Sequence, residues 1–323
     1  MKHYKPAVAV YGGANFDIQA RCREPYRAGD SNPGTSSMSF GGVGRNIAEN
    51  VAKLGLATEL VTVFGGDEMA SLLADGCRAS GVEVGRSLIL PGEATSRYIC
   101  IIDENGSLVG AVAAMDCLNL FGPDELASRF GPGDEADVVV IDANLPPETI
   151  AAAAFRWKDK PLILDTVSVA KAARAAPVAG RFSMVKPNRR EARALLGLDP
   201  DGVDDAVDLD DDLAISYAQL LLALGVREVF ISLRERGLLW ADATGMGRAS
   251  PVDLPVVNVS GAGDAATAAL AWAAVHGLDC REKATYAVAA ASLCASYPDA
   301  VASGMNADRL ALLAKGVRNE RIS

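Results

Sequence analysis

Two glycines one residue apart lead into an aspartate at Gly261-Ala262-Gly263-Asp264, and an Ala-rich stretch of helical character follows from Ala265. Glycines here let the backbone turn tightly and approach a ligand, while a helix N-terminus aims free N–H groups and a positive dipole end at it. Such a place is an anion hole. Asp264 beside it could accept a proton from a substrate hydroxyl while the 261–263 backbone stabilises a transferring phosphoryl group. Two other readings stand next to this one. An acidic residue in a first helical turn complements the dipole without doing chemistry. The string Gly261-x-Gly263-x-x-Ala266 also loosely matches a dinucleotide fingerprint. Against the latter, the motif follows the apolar run Leu254–Val257, read as a strand, far from the first βα unit, and no acidic residue closes a strand about 20 residues on.

A second set is Lys186-Pro187-Asn188-Arg189-Arg190-Glu191. Asn188 is a good helix N-cap, and Glu191 three residues later gives capping-box spacing. The same pair could instead order the water shell of a Mg²⁺ ion on nucleotide phosphates. A third set, Ser39-Phe40-Gly41-Gly42-Val43-Gly44-Arg45-Asn46, opens a helix on paired glycines and places Asn46 one turn in. Asp17, just past the first strand, would point to the same cleft and with Asn46 could grip vicinal sugar hydroxyls. No Gly-x-x-x-x-Gly-Lys-Ser/Thr loop exists in the sequence, which excludes a P-loop kinase.

These residues need a frame. Short apolar strands are expected at 7–11, 58–64, 138–141, 162–165, 184–185 and 228–232, with helices at 43–54, 68–80, 147–156, 189–196, 212–224 and 265–276. Alternation of buried strands with helices implies a mainly parallel sheet covered on both faces. Two segments interrupt it. Residues 18–40 are polar and rich in Gly, Pro and Ser, and 95–113 carry a hairpin signal with Asn105-Gly106 at the turn. Both read as parts of a β-lid over the sheet's carboxyl edge, able to exclude water on closing. The acidic run 199–212 reads as a solvated loop.

The 323 residues carry a net charge of −10 without a Lys/Arg cluster, which argues against nucleic acid or an anionic membrane as partner. No stretch is long and apolar enough for a membrane span, and the N-terminus lacks signal-peptide features, so a cytoplasmic protein is expected. Six scattered cysteines without a Cys-x-x-Cys pair, and only His3 and His276, make a zinc site or histidine catalysis a poor fit.

In this order and spacing the motifs resemble the ribokinase-like (PfkB) family of carbohydrate and nucleoside kinases, over essentially the whole chain. The resemblance implies a single domain over 1–323: a three-layer α/β/α fold with a mainly parallel central sheet and a small β-lid from segments about 16–40 and 93–116. It implies Asp264 as general base, Gly261, Ala262 and Gly263 as the anion hole, and ATP with Mg²⁺ as cofactors, Asn188 and Glu191 organising the metal through water. Many relatives also use a monovalent cation such as K⁺. Asp17, Gly42 and Asn46 would hold the sugar. Within the family the sequence is most similar to pseudouridine kinases, on Asp30-Ser31-Asn32-Pro33-Gly34, Gly41 to Asn50, Thr95-Ser96-x-Tyr98 and Asp165 to Lys171. By that likeness Asn15, Ser31, Thr95, Asp116 and Asn144 would contact base or ribose.

The implied reaction is transfer of phosphate from ATP to the 5′-hydroxyl of a nucleoside, pseudouridine first. The alternatives are ribose, a keto-sugar acid, inosine or guanosine as acceptor, or a binder that has lost activity. A homodimer through the lid is a further expectation. The sequence departs from the family at two places. The nucleotide-binding turn, usually Thr/Ser-x-Gly-x-x-Gly, reads Ser232-Leu233-Arg234-Glu235-Arg236-Gly237, with Arg234 where the first glycine stands. Asp264 is followed by Ala265-Ala266 where a bulky aromatic is common.

Overall fold

Strand Val8–Tyr11, four apolar residues with buried side chains, lies inside the main sheet of the computed structural model, which describes residues 5–199 and 211–322. Its side chains alternate between faces. Ala9 and Tyr11 enter one apolar cluster with Val139 and Ile141; Val8 and Val10 enter a second with Val138 and Val140. Burial on both faces is why these strands read as continuous apolar runs.

The main sheet has ten strands. Glu228–Ser232, Met184–Val185, Leu162–Asp165, Val138–Asp142, Val8–Tyr11, Thr58–Val61 and Val82–Glu83 run parallel in that spatial order. Leu238–Asp242, Gly245–Ala249 and Asn319–Ile322 extend it antiparallel beyond Glu228–Ser232. From Val8–Tyr11 the chain builds outward on one side through Thr58–Val61, then returns to add Val138–Asp142 on the other. That reversal makes a topological switch point, where an open α/β sheet forms a crevice at the carboxyl ends of its strands.

A four-stranded sheet stands apart, in the order Gly34–Gly41, Asn15–Cys22, Arg97–Ile102, Leu108–Ala114. The Asn105-Gly106 turn forms as its sequence suggests: Gly106 has φ 90°, and Asp103 Oδ1 accepts from the N–H groups of Asn105 (2.9 Å) and Ser107 (2.7 Å). Cross-strand register gives this lid two unlike faces. Tyr98 pairs with Asp17 and Asp17 with Ser39, whereas Met38, Ile18, Ile99 and Val112 form one apolar row across all four strands.

Three expectations need correction. Residues 254–257 form no strand: the neighbouring sheet edge is taken by Asn319–Ile322, and Val256 and Val257 are largely exposed. The strand expected at 58–64 breaks into Thr58–Val61 and Val63–Gly65, the second pairing with Leu88–Leu90 outside the main sheet. The helix expected at 265–276 begins at Ala262, three residues early. Of the acidic run, residues 200–210 lie outside the described residues, while Asp211 and Asp212 open helix Asp211–Ala223.

Candidate active site

At the switch point the chain leaves Val8–Tyr11 through Gly12 and Gly13. A Cβ on Gly12 would run into the Asp142 carboxylate, and the Gly13 N–H donates to Asp142 Oδ2 at 2.8 Å. Asp142 Oδ1 accepts from the Asn144 N–H at 2.8 Å. Asp142 is wholly buried, and burial raises its pKa against the pull of those two N–H donors. It therefore staples the first turn to the end of the neighbouring strand. Helix Val43–Lys53 comes equally close, its Gly44 against the backbone of Gly12.

The cleft so formed has a volume of about 200 Å³ and is lined by Asn15, Asp17, Gly42, Asn46 and Asn144 together with lid residues Ser96 and Tyr98. Gly42 caps the helix at φ 99°, where a Cβ would meet Gly13 and Ala14. Asn15 Nδ2 donates to Asp17 Oδ1 at 2.7 Å. Burial pushes the Asp17 carboxyl up from its ordinary value, with the Asn15 bond and the Arg45 charge opposing. Five residues expected to hold the acceptor thus share one cavity. Three others do not line it. The Thr95 hydroxyl donates to Asp67 Oδ1 at 2.5 Å and accepts from the Gly65 N–H, while Ser31 and Asp116 are exposed.

Asp264 sits in the first turn of helix Ala262–Val275, whose N-cap Gly261 adopts φ 78°, where a Cβ would run into the Ala300 carbonyl. The helix lies against Val43–Lys53, and Asn46 Nδ2 donates to Asp264 Oδ2 at 2.8 Å. That bond joins the cleft, which Asn46 lines, to the Gly261–Asp264 turn. Behind it lies a buried charge cluster. Lys186 Nζ pairs with Asp165 Oδ2 at 3.4 Å, and Thr267 Oγ1 donates to the same oxygen at 2.6 Å. A Cβ on Gly263 would stand 3.4 Å from Lys186 Nζ.

Burial, then the negative charge of Asp165, pushes the Asp264 carboxyl up to about 8; the Asn46 bond and Lys186 oppose this, and Asp142 adds to it. Burial pulls Lys186 down, but the carboxylates of Asp165, Glu191 and Asp264 outweigh it and hold the ammonium protonated. A carboxylate whose pKa lies near neutrality is matched to accepting a proton at neutral pH. Asp142, Asp165, Lys186 and Thr267 were not singled out from the sequence. The available signal was a strand ending in Asp at the carboxyl edge, twice, at 142 and 165.

On the adjoining strand ends, Asn188 and Glu191 form a complete capping box: Asn188 N–H donates to Glu191 Oε2 (2.9 Å) and Glu191 N–H to Asn188 Oδ1 (2.9 Å). Asn188 Nδ2 also donates to Glu191 Oε1 (2.8 Å) and Thr166 Oγ1 to Oε2 (2.7 Å). Of about four acceptor positions on a carboxylate, three are filled. The remainder suits one water of a hydrated Mg²⁺ better than direct ligation. Among the described residues no group of three or more His, Cys, Asp or Glu is gathered as a metal cage. Ser232 bridges to Asn188, its N–H donating to Pro187 O at 2.8 Å. Arg234 adopts φ 55°, so the turn keeps the left-handed backbone a glycine would take freely, at a cost of about 1–2 kcal/mol. Gly237, at φ 90°, approaches the Ala249 carbonyl too closely for a side chain.

A family model described as pfkB family carbohydrate kinase matches residues 5–307. The chain belongs to that family. It is a kinase transferring phosphate to an alcohol group, and PfkB kinases use ATP. It is similar to a pseudouridine kinase of Escherichia coli (strain K12), 32% identical over 293 residues, or 90% of this chain and 91% of that one. Among solved structures it superposes on a carbohydrate kinase from Agrobacterium tumefaciens with TM-score 0.84 and 27% identity, covering 98% of this chain and 99% of that one. An Arabidopsis thaliana ribokinase complexed with ribose and ATP gives TM-score 0.82 at 24% identity, over 96% and 99% of the chains, a likeness of fold. The ribokinase-like fold of this PfkB kinase thus accounts for both the large sheet and the lid.

Proposed function

We propose that this PfkB kinase phosphorylates the 5′-hydroxyl of a nucleoside, pseudouridine first, with Asp264 as general base. The observation that supports the reading is the Asn46–Asp264 hydrogen bond, which ties the Asp264 carboxylate to a residue that lines the cleft. In this reading Asp17, Asn46, Asn15 and Asn144 grip ribose and base, and Gly42 lets the ligand approach the helix start. Ser31, Thr95 and Asp116, outside the cleft lining, reach the acceptor only through lid movement. Asp264 takes the hydroxyl proton as the acceptor oxygen attacks, and the N–H groups of 261–263 hold the charge of the passing phosphoryl group. Asn188 and Glu191 would hold hydrated Mg²⁺ through water; when bound, that ion neutralises charge on the ATP phosphates. Ser232, Arg234 and Gly237 form the turn for the donor nucleotide. A K⁺ near the anion hole belongs to the same reading.

The acceptor preference rests on the likeness to the E. coli pseudouridine kinase. The chain is read as one ribokinase-like domain carrying a lid, and as a homodimer through that lid, since Leu108 (59% exposed) and Val112 (62%) leave an apolar surface open on its outer strand. Six cysteines without disulfides fit a reducing, cytoplasmic setting, and among the described residues no helix is long and apolar enough to cross a membrane. A panel of nucleosides and sugars with ATP and Mg²⁺, read by ADP release, tests the proposal. Pseudouridine is expected to give the highest kcat/KM; clear preference for a free sugar would overturn the acceptor assignment.

A further inference from the structure

Arg45 is buried at the start of helix Val43–Lys53, yet it is not among the residues that line the cleft and no step above uses it. Its Nη1 donates at 3.1 Å to the Asn46 side-chain oxygen and at 3.1 Å to the Phe40 carbonyl, at the root of the lid strand Gly34–Gly41. Its Nη2 pairs with Glu49, whose other oxygen lies 3.7 Å from Lys53 Nζ. The guanidinium also rests 5.7 Å from the centroid of the Phe40 ring.

A guanidinium can only donate hydrogen bonds, so the amide atom it meets on Asn46 must be the oxygen. The other end of the amide, the NH₂, is then the one left for Asp264, and Nδ2 donates to Asp264 Oδ2 at 2.8 Å. We propose that Arg45 is a positioning residue for the base: it fixes the Asn46 amide so that N–H, and not the amide oxygen, faces Asp264.

Without that constraint the amide can turn over. An amide oxygen facing Asp264 would favour the protonated acid, which donates to it, whereas an N–H favours the carboxylate. The choice matters here because Asp264 is already crowded by negative charge. Asp165 and Asp142 face it from the ends of their strands, and Lys186 is the cation that opposes them. Around Arg45 itself stand Glu49 on the same helix, Asp17 on the lid strand and the Cys77 thiol on helix Glu68–Ala79. The inference rests on Asp264 being the base for its catalytic consequence, while its geometry can be tested without substrate.

The test is the titration of the Asp264 carboxyl, followed by ¹³C NMR on protein labelled at aspartate Cγ and assigned against Asp264→Asn. Arg45→Met alone would leave the buried Glu49 carboxylate with only the longer Lys53 contact, so the variant is Arg45→Met/Glu49→Leu, with folding checked by thermal melting. Its Asp264 midpoint is expected to rise by about 0.5–1 pH unit, the size of one hydrogen bond. The acid limb of its pH–rate profile with pseudouridine and MgATP would move up with it. In an Asn46→Ala background the same two substitutions should produce no additional shift, because Arg45 acts through Asn46. A midpoint equal to the parent's, or an equal shift in the Asn46→Ala background, would overturn the inference. Near-normal turnover of Asp264→Asn would instead overturn the base reading, with the titration result still deciding the role of Arg45.

Discussion

Asp264→Asn should make the protein more stable, and more so as pH rises. Burial, then the charge of Asp165, pushes the Asp264 carboxyl up from its ordinary value near 3.8 to about 8 on folding. Between those values the folded state binds the extra proton, so stability falls with increasing pH and levels off above about 8. About four pH units at 1.36 kcal/mol each set an upper bound of about 5–6 kcal/mol at pH 9. The substitution also removes one of the carboxylates that favour charged Lys186, so the expected net gain is about 2–4 kcal/mol at pH 9 and under about 1 kcal/mol at pH 5. Urea unfolding of the parent and Asp264→Asn at pH 5, 7 and 9 measures it. A gain that is the same at every pH, or a loss at pH 9, would refute the idea that folding holds this carboxyl under electrostatic strain.

The Lys186–Asp165 pair is buried. Lys186→Met should destabilise it by about 3–5 kcal/mol through the stranded carboxylates, and adding Asp165→Asn should recover part of that loss in denaturant unfolding. Gly261→Ala would force a side chain into a left-handed turn and against the Ala300 carbonyl. Turnover should fall at least tenfold, with the melting temperature lowered, because the backbone N–H groups of the proposed anion hole move. Val112→Lys places a charge in the apolar row of the lid; if the proposed lid-to-lid pairing holds, light scattering should show a smaller particle than the parent's with the fold kept, and an unchanged particle size would contradict that pairing.

The main sheet was legible because both faces of Val138–Asp142 and Leu162–Asp165 are buried, and an apolar run of four or five residues has few other uses. The hairpin was legible through Asn105-Gly106. The lid strand Gly34–Gly41, Gly-Thr-Ser-Ser-Met-Ser-Phe-Gly, was not, since most of it is exposed and little in its composition favours a strand. Residues 254–257 failed for the opposite reason: an apolar run looks like a strand, but pairing needs a free sheet edge, and that is decided by Asn319–Ile322 some sixty residues later. In the site, Asp264, Asn46 and Asp17 were visible beside glycines. Lys186 lay inside a motif already read, but its pairing with Asp165 joins two strand ends that only the fold makes neighbours. Arg45 was hidden similarly, because its partners Phe40 and Asn46 gain meaning only once Asp264 stands against the same helix.

The base assignment for Asp264 is tested most directly by single-turnover phosphoryl transfer in Asp264→Asn, with ATP, Mg²⁺ and the best acceptor from the panel. The rate is expected to fall by about 10²–10⁴ while acceptor binding, measured by calorimetry, stays within a few-fold of the parent. A rate close to the parent's would contradict Asp264 as the base.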